Sequence, residues 1–161
     1  MSDSISASLV INAPAEVIFA FLAHPANHQI FDASNMVGDS LTHGRIADVG
    51  QVFTMKMTWT DDDGVAREYV TDNHVTDFDE GRTIEWAPAR QGREPWGWRW
   101  RYELEPVHHG DATRVTETHD WSRTSPENIE KYGVPEFTEA DLRDSLHLLD
   151  LAVISGARAA E

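Results

Sequence analysis

The sequence predicts an α+β domain, an antiparallel sheet of about seven strands packed against one long C-terminal helix. Three observations predict it. Ser4–Asn12, Gln51–Thr60 and Trp98–Pro106 alternate apolar with polar residues, the period of two that marks a half-buried strand. Turn sequences such as Asp61-Asp62-Asp63-Gly64 and Asp79-Glu80-Gly81 divide the strands. Leu142, Leu146, Leu149 and Val153 recur at helical spacing near the end of the chain. At 161 residues there is room for one ordinary domain, so residues 1–161 are read as a single unit. Six Trp and six Phe supply large side chains for its core.

The elements follow in order. Ile5, Ala7, Leu9 and Ile11 give the first strand its inner face. Pro14 suits the first position of a helix, Glu16 suits its positive end, and Val17, Ile18, Phe21 and Leu22 form its apolar face. A second helical turn is expected at Ala26–Phe31, and strands from about residue 36. In Gln51–Thr60, Phe53, Met55, Met57 and Trp59 point one way. Ala66–Asp79 reads as a long strand, open to a bulge and without a clean apolar side, followed by Arg82–Ala87. Trp98, Trp100, Tyr102 and Leu104 then oppose Arg99, Arg101, Glu103 and Glu105, which places the arginines beside acidic neighbours in solvent. After a His108-His109 turn the last strand spans Ala112 to about Ser122. Pro88–Gly97 and the polar Arg123–Pro135 exceed minimal hairpins and are expected to rim a pocket. The closing helix is expected from about Thr138 to Ala160, started by a Thr138–Asp141 capping box, with Ala157 extending its face.

Composition excludes several function classes. Acidic residues outnumber basic ones 28 to 13, a formal charge of −15 that repels phosphate backbones and anionic lipid. Nucleic acid is therefore not an expected partner. The chain has no cysteine, which removes disulfides and thiolate chemistry. No apolar run approaches the ~20 residues of a membrane span, and Met1–Ile11 lacks the pattern of a secretory signal, so a cytoplasmic location is expected. No phosphate loop, dinucleotide fingerprint or serine elbow is found, and no metal or other cofactor is expected. His24 and His28 have the i, i+4 spacing of a metal pair, but Pro25 interrupts the helix that would align them. Oligomeric state is not legible.

The order of elements, Ala13-Pro14-Ala15-Glu16-Val17-Ile18-Phe19, Val75-Thr76-Asp77-Phe78-Asp79 and Thr113-Arg114-Val115-Thr116-Glu117-Thr118 together resemble the START-like (SRPBCC) superfamily, in its polyketide cyclase/dehydrase-like branch. The resemblance implies a helix-grip fold: a curved antiparallel sheet around the C-terminal helix, enclosing a ligand cavity. Members of that superfamily include lipid carriers, hormone receptors, aromatase/cyclases, oxygenase domains and chaperone cofactors. They share a container rather than a mechanism, so no reaction follows from the fold.

A cavity is also expected on physical grounds, since one helix does not cover both ends of a curved sheet of about seven strands. Its expected wall is Phe53, Met55, Met57, Trp59, Trp86, Trp98, Trp100, Tyr102 and Leu104, joined by Trp121 and by Leu146 and Leu149 of the helix. A dry void of about 300 Å³ would cost roughly 7 kcal/mol, so a cavity of that size should hold water or a guest. On the last strand Glu117 and His119 share the parity of Val115 and Trp121. Facing inward, their side chains stand about 7 Å apart and can meet directly or through a ligand; a bulge after Val115 would instead turn Thr116 and Thr118 inward and leave the pair in solvent. Burial raises the carboxyl pKa and lowers that of the imidazole.

Two functions remain open at this level. One is binding of a hydrophobic or aromatic small molecule, lipid- or polyketide-like. The other is a cofactor-independent polyketide cyclase/dehydrase, with Glu117 or His119 moving the proton and Tyr102 polarising a carbonyl. A protein-interaction module would need an exposed apolar patch, which the strict alternation does not favour. His74 and Asp72 share a parity whose direction is undecided.

Overall fold

The computed structural model describes residues 2–159, with side chains through residue 156. β1 (Ser4–Ile11) leads into α1 (Ala15–Leu22), then a 3-10 turn at Pro25–Asn27 continued by α2 (His28–Phe31). Six strands follow: β2 (Val37–Ser40), β3 (Val52–Thr60), β4 (Ala66–Asp79), β5 (Thr83–Arg90), β6 (Arg99–Val107) and β7 (Ala112–Asp120). α3 (Pro126–Tyr132) and α4 (Glu139–Ala159) close the chain. All seven strands form one antiparallel sheet in the order β1-β7-β6-β5-β4-β3-β2, so only the β1–β7 pairing joins strands distant in sequence.

α4 starts as its sequence dictates. The Thr138 amide donates to Asp141 Oδ2 at 2.8 Å, and the Asp141 amide donates back to Thr138 Oγ1. Leu142, Leu146, Leu149 and Val153 are all buried, and α4 packs on β1, α1, α2 and β7. The expected side chain of Ala157 and the expected end at Ala160 lie outside the described residues.

Several expectations are corrected. Pro14 precedes the helix in extended conformation, and α1 buries Ala15, Ile18, Phe19 and Leu22 rather than Val17 and Phe21. Turning Phe19 inward removes a full ring from water and sets it edge-on to Phe78, 5.5 Å between centroids. β5 continues to Arg90, so the loop before β6 is shorter than Pro88–Gly97. The polar Arg123–Pro135 stretch contains α3, capped by the Ser125 hydroxyl, which accepts from the Asn128 amide, and ended by Gly133 at φ 66°.

β4 changes its inner parity part-way. Thr71, Asn73 and Val75 are buried; the register with β5 then slips between Val75 and Asp77, and Phe78 faces the core. That bulge accounts for the missing apolar side in its sequence. Asp72 faces outward, accepting from the Thr54 hydroxyl and the Gly92 amide. His74 shares that outer parity.

The arginines of β6 are less solvated than expected. Glu85 on the outer face is 5% exposed, and both Arg99 and Arg101 bind it at 3.2 Å. Arg101 also reaches Asp77 and Glu103, and Arg99 reaches Asp120. The Arg99 alkyl chain and its acidic neighbours thus cover the outside of the strands that carry the site.

Candidate functional site

Between the inner sheet face, α2, α3 and the first turns of α4 lies a cavity of about 1260 Å³. It exists because α4 seals only one side of the sheet. Leu146 and Leu149 pack into the core, whereas Leu142 and Ser145 reach the cavity wall. The expectation that Leu146 and Leu149 contact a guest is therefore corrected: the helical turn carries them past the cavity edge. Trp121 is also buried outside it, one residue beyond the end of β7, its amide donating to the Asp3 carbonyl. Leu104 belongs to the core, because the cavity stops at Tyr102 along β6.

The remaining expected wall residues do line it: Phe53, Met55, Met57, Trp59, Trp86, Trp98, Trp100, Tyr102, Glu117 and His119. Trp59 differs from the expected buried wall. It is 47% exposed, because β3 runs out of the core toward its hairpin there.

The buried zone is a continuous aromatic cluster. His28 stacks on Trp86 at 5.0 Å, and Trp86 stacks on Tyr102 at 5.9 Å. Phe53 meets His28 and Trp86 edge-on, as Phe31 meets Tyr102. Nearer the opening is a second cluster. Trp96 and Trp98 stack at 5.0 Å, with the Tyr132 ring of α3 edge-on to both. α3 is tied to the loop before β6 by Asn128, whose Nδ2 donates to the Trp96 carbonyl. Gly97, at φ +119°, lies so close to the Arg123 and Thr124 backbone that a Cβ would approach it to 2.6 Å.

Buried polar groups are set into the inner wall. Glu117 and Tyr102 are register partners on β7 and β6, and both are buried. Burial, reinforced by the nearby Asp32 charge, pushes the Glu117 carboxyl up to about 8, while the Tyr102 hydroxyl acts in the opposite sense. Its Oε2 is sealed from solvent and has no partner among the described residues. Burial and the Glu117 charge together raise the Tyr102 phenol well above its usual range. Burial takes His119 down to about 4, against the pull of the Arg99 carbonyl and Asp120. Burial likewise lowers His28 to about 4, against the pull of the Leu22 carbonyl.

Glu117 and His119 share a face without forming a pair: among the described residues no hydrogen bond joins them. His119 lies flat on Trp100, 4.0 Å between centroids and 20° from parallel, with Phe137 edge-on to both rings. Near neutral pH the cavity therefore presents an un-ionised carboxyl group and two un-ionised imidazoles. Such a set can donate and accept hydrogen bonds without placing charge on a guest.

Sequence reading missed His28, Asp32, Asn73, Tyr132 and Phe137 in the wall. Asp32 holds the turn after α2, accepting from the amides of Ser34, Met36 and Val37. His28 was visible only as a metal candidate with His24. It belongs instead to the aromatic cluster, and His24 is exposed.

No family model matches the chain. It is similar to uncharacterized protein Rv0088 of Mycobacterium tuberculosis, 32% identical over 117 residues, 73% of this chain and 47% of that one. The chain thus spans about half the length of the curated relatives it matches. Among solved structures it is similar to the ZhuI aromatase/cyclase of Streptomyces sp. R1128, at 16% identity and TM-score 0.61 over 98% of this chain and 96% of that one. Protein Ms6760 of Mycobacterium smegmatis gives 17% identity and TM-score 0.64 over 96% and 93%. Protein CV1439 of Chromobacterium violaceum gives 15% and 0.63 over 94% and 97%. The fold is a helix-grip. At these identities the likeness shows fold and nothing finer.

Among the described residues no helix is long and apolar enough to cross a membrane.

Proposed function

We propose that this helix-grip chain binds an uncharged aromatic or flat hydrophobic small molecule, polyketide-like rather than lipid-like, in the aromatic cavity. The observation that carries the reading is the cavity itself, about 1260 Å³ walled by aromatic rings, with the buried Glu117 carboxyl in that wall. A wall built of aromatic rings favours a flat guest over a flexible acyl chain. The aromatase/cyclase among the structural neighbours shows that such a container can house chemistry, but that activity belongs to the neighbour.

A second reading rests on the same carboxyl. Un-ionised near neutral pH and opposite Tyr102, Glu117 is suited to protonate a carbonyl oxygen as general acid, and the un-ionised His119 is suited to accept a proton. On this reading the chain is a cofactor-independent cyclase/dehydrase.

Thermal melting and tryptophan fluorescence, recorded with a panel of polycyclic aromatic and acyl compounds, test the binding proposal. Aromatic compounds are expected to raise the melting temperature and quench the fluorescence. A panel that changes neither removes the proposal. Glu117→Gln then separates binding from catalysis: on a turned-over substrate it should lower kcat far more than it raises KM, and an unchanged kcat rejects Glu117 as the acid.

A further inference from the structure

The two imidazoles of the cavity are held in defined tautomers. His28 Nε2 lies 2.8 Å from the Leu22 carbonyl oxygen, and His119 Nδ1 lies 3.3 Å from that of Arg99. A carbonyl oxygen only accepts, so the hydrogen must sit on the nitrogen facing it. That leaves Nδ1 of His28 and Nε2 of His119 as bare acceptors. Neither has a partner among the described residues, and neither is among the atoms sealed from solvent, as Glu117 Oε2 is. Both rings line the cavity, and each is clamped face-on by a tryptophan, Trp86 and Trp100 respectively.

An acceptor fixed in this way discriminates by chemistry. A hydroxyl or N–H hydrogen satisfies it; an ether or ketone oxygen sets lone pair against lone pair. A carboxylate does the same and adds an anion beside Asp32 and the overall charge of −15.

Resting on the binding reading above, we infer that His28 and His119 are specificity residues that select a neutral aromatic guest carrying hydroxyl groups, whose hydrogens point at the two bare ring nitrogens. Ketone oxygens of the guest belong at Glu117 and Tyr102 instead. Each matched hydroxyl should be worth roughly tenfold in affinity over its methyl ether.

Calorimetric titration of the full chain near neutral pH with dihydroxynaphthalenes, their dimethyl ethers and naphthoate tests this. At least one diol should bind at least tenfold more tightly than its ether, and naphthoate more weakly than the diol. In a His28→Phe/His119→Phe double variant, whose rings keep their stacking partners, the diol and its ether should bind equally. If ethers match or exceed every diol, the inference is overturned while cavity binding stands. The same holds if the diol preference survives in the double variant. If no naphthalene binds at all, both fail. Should the double variant not fold, ¹⁵N spectra of the wild-type imidazoles decide: the diol should move the bare nitrogens of His28 and His119 upfield, and an unmoved pair contradicts the assignment.

Discussion

Glu117 and Tyr102 face each other across neighbouring strands, both buried in the cavity wall. Burial keeps this carboxyl group protonated, against the opposing pull of the Tyr102 hydroxyl, where a guest would meet it. Its consequences reach stability as well as recognition.

Stability should peak near pH 6.5. The Glu117 pKa rises from 4.5 to about 8 on folding, so the native state keeps a proton that the unfolded chain releases. Its contribution is complete below pH 4.5 and drains as pH climbs through about 8. His28 and His119 fall from 6.5 to about 4, so their contribution is complete above 6.5 and is lost as pH falls through about 4. Two rising slopes outweigh one falling slope below 6.5, and only the falling one remains above it. Glu136, raised from 4.5 by burial, adds a loss that begins as pH climbs above 4.5; Asp61 and Asp120, both lowered from 3.8, add to the acid loss. Urea denaturation from pH 4 to pH 9 should show the peak, with a loss on the order of a few kcal/mol on its alkaline side. Glu117→Gln should flatten that side. A curve still falling equally between pH 6.5 and 8 in the variant would contradict the assignment.

The close backbone contact behind the Trp96–Trp98 pair depends on one glycine. Gly97→Ala combines a positive φ with a backbone clash at 2.6 Å, so we expect a loss of at least ~2 kcal/mol in denaturant melts. The Trp96–Trp98–Tyr132 cluster should loosen with it, visible as altered near-ultraviolet dichroism. A change below about 0.5 kcal/mol would show that the loops are not tied there.

How much of this was legible follows from particular residues. Strict alternation in β3 and β6 exposed the inner wall directly, because one face of each strand is apolar and the other polar. The inward parity of Glu117 was readable because β7 runs without a bulge from Val115 to His119. β4 resisted reading because its inner positions Thr71 and Asn73 are polar and its parity slips after Val75. α3 was hidden by its polarity, although Ser125-Pro126 at its start and Gly133 at its end are ordinary helix signals. The division of α4 between cavity and core lies beyond sequence altogether. Leu142 and Leu146 sit on one face, and only where the sheet curves away decides which of them meets a guest.

That division predicts separable effects. Leu146→Ala should cost about 2–5 kcal/mol of stability and leave guest affinity within about twofold, since its side chain is packed only in the core. Leu142→Ala should lower both. Parallel melts and titrations check this; an affinity loss in Leu146→Ala as large as that in Leu142→Ala would put Leu146 back in the cavity wall.

The most direct measurement follows the six tryptophan indole N–H signals in a ¹H–¹⁵N spectrum as a naphthalene-sized guest is added. Five of the six tryptophans line the cavity and Trp121 does not. The account predicts that Trp86, Trp98 and Trp100 shift in a saturable way while Trp121 stays still. Shifts led by Trp121, or none at all with a guest in excess, would contradict it.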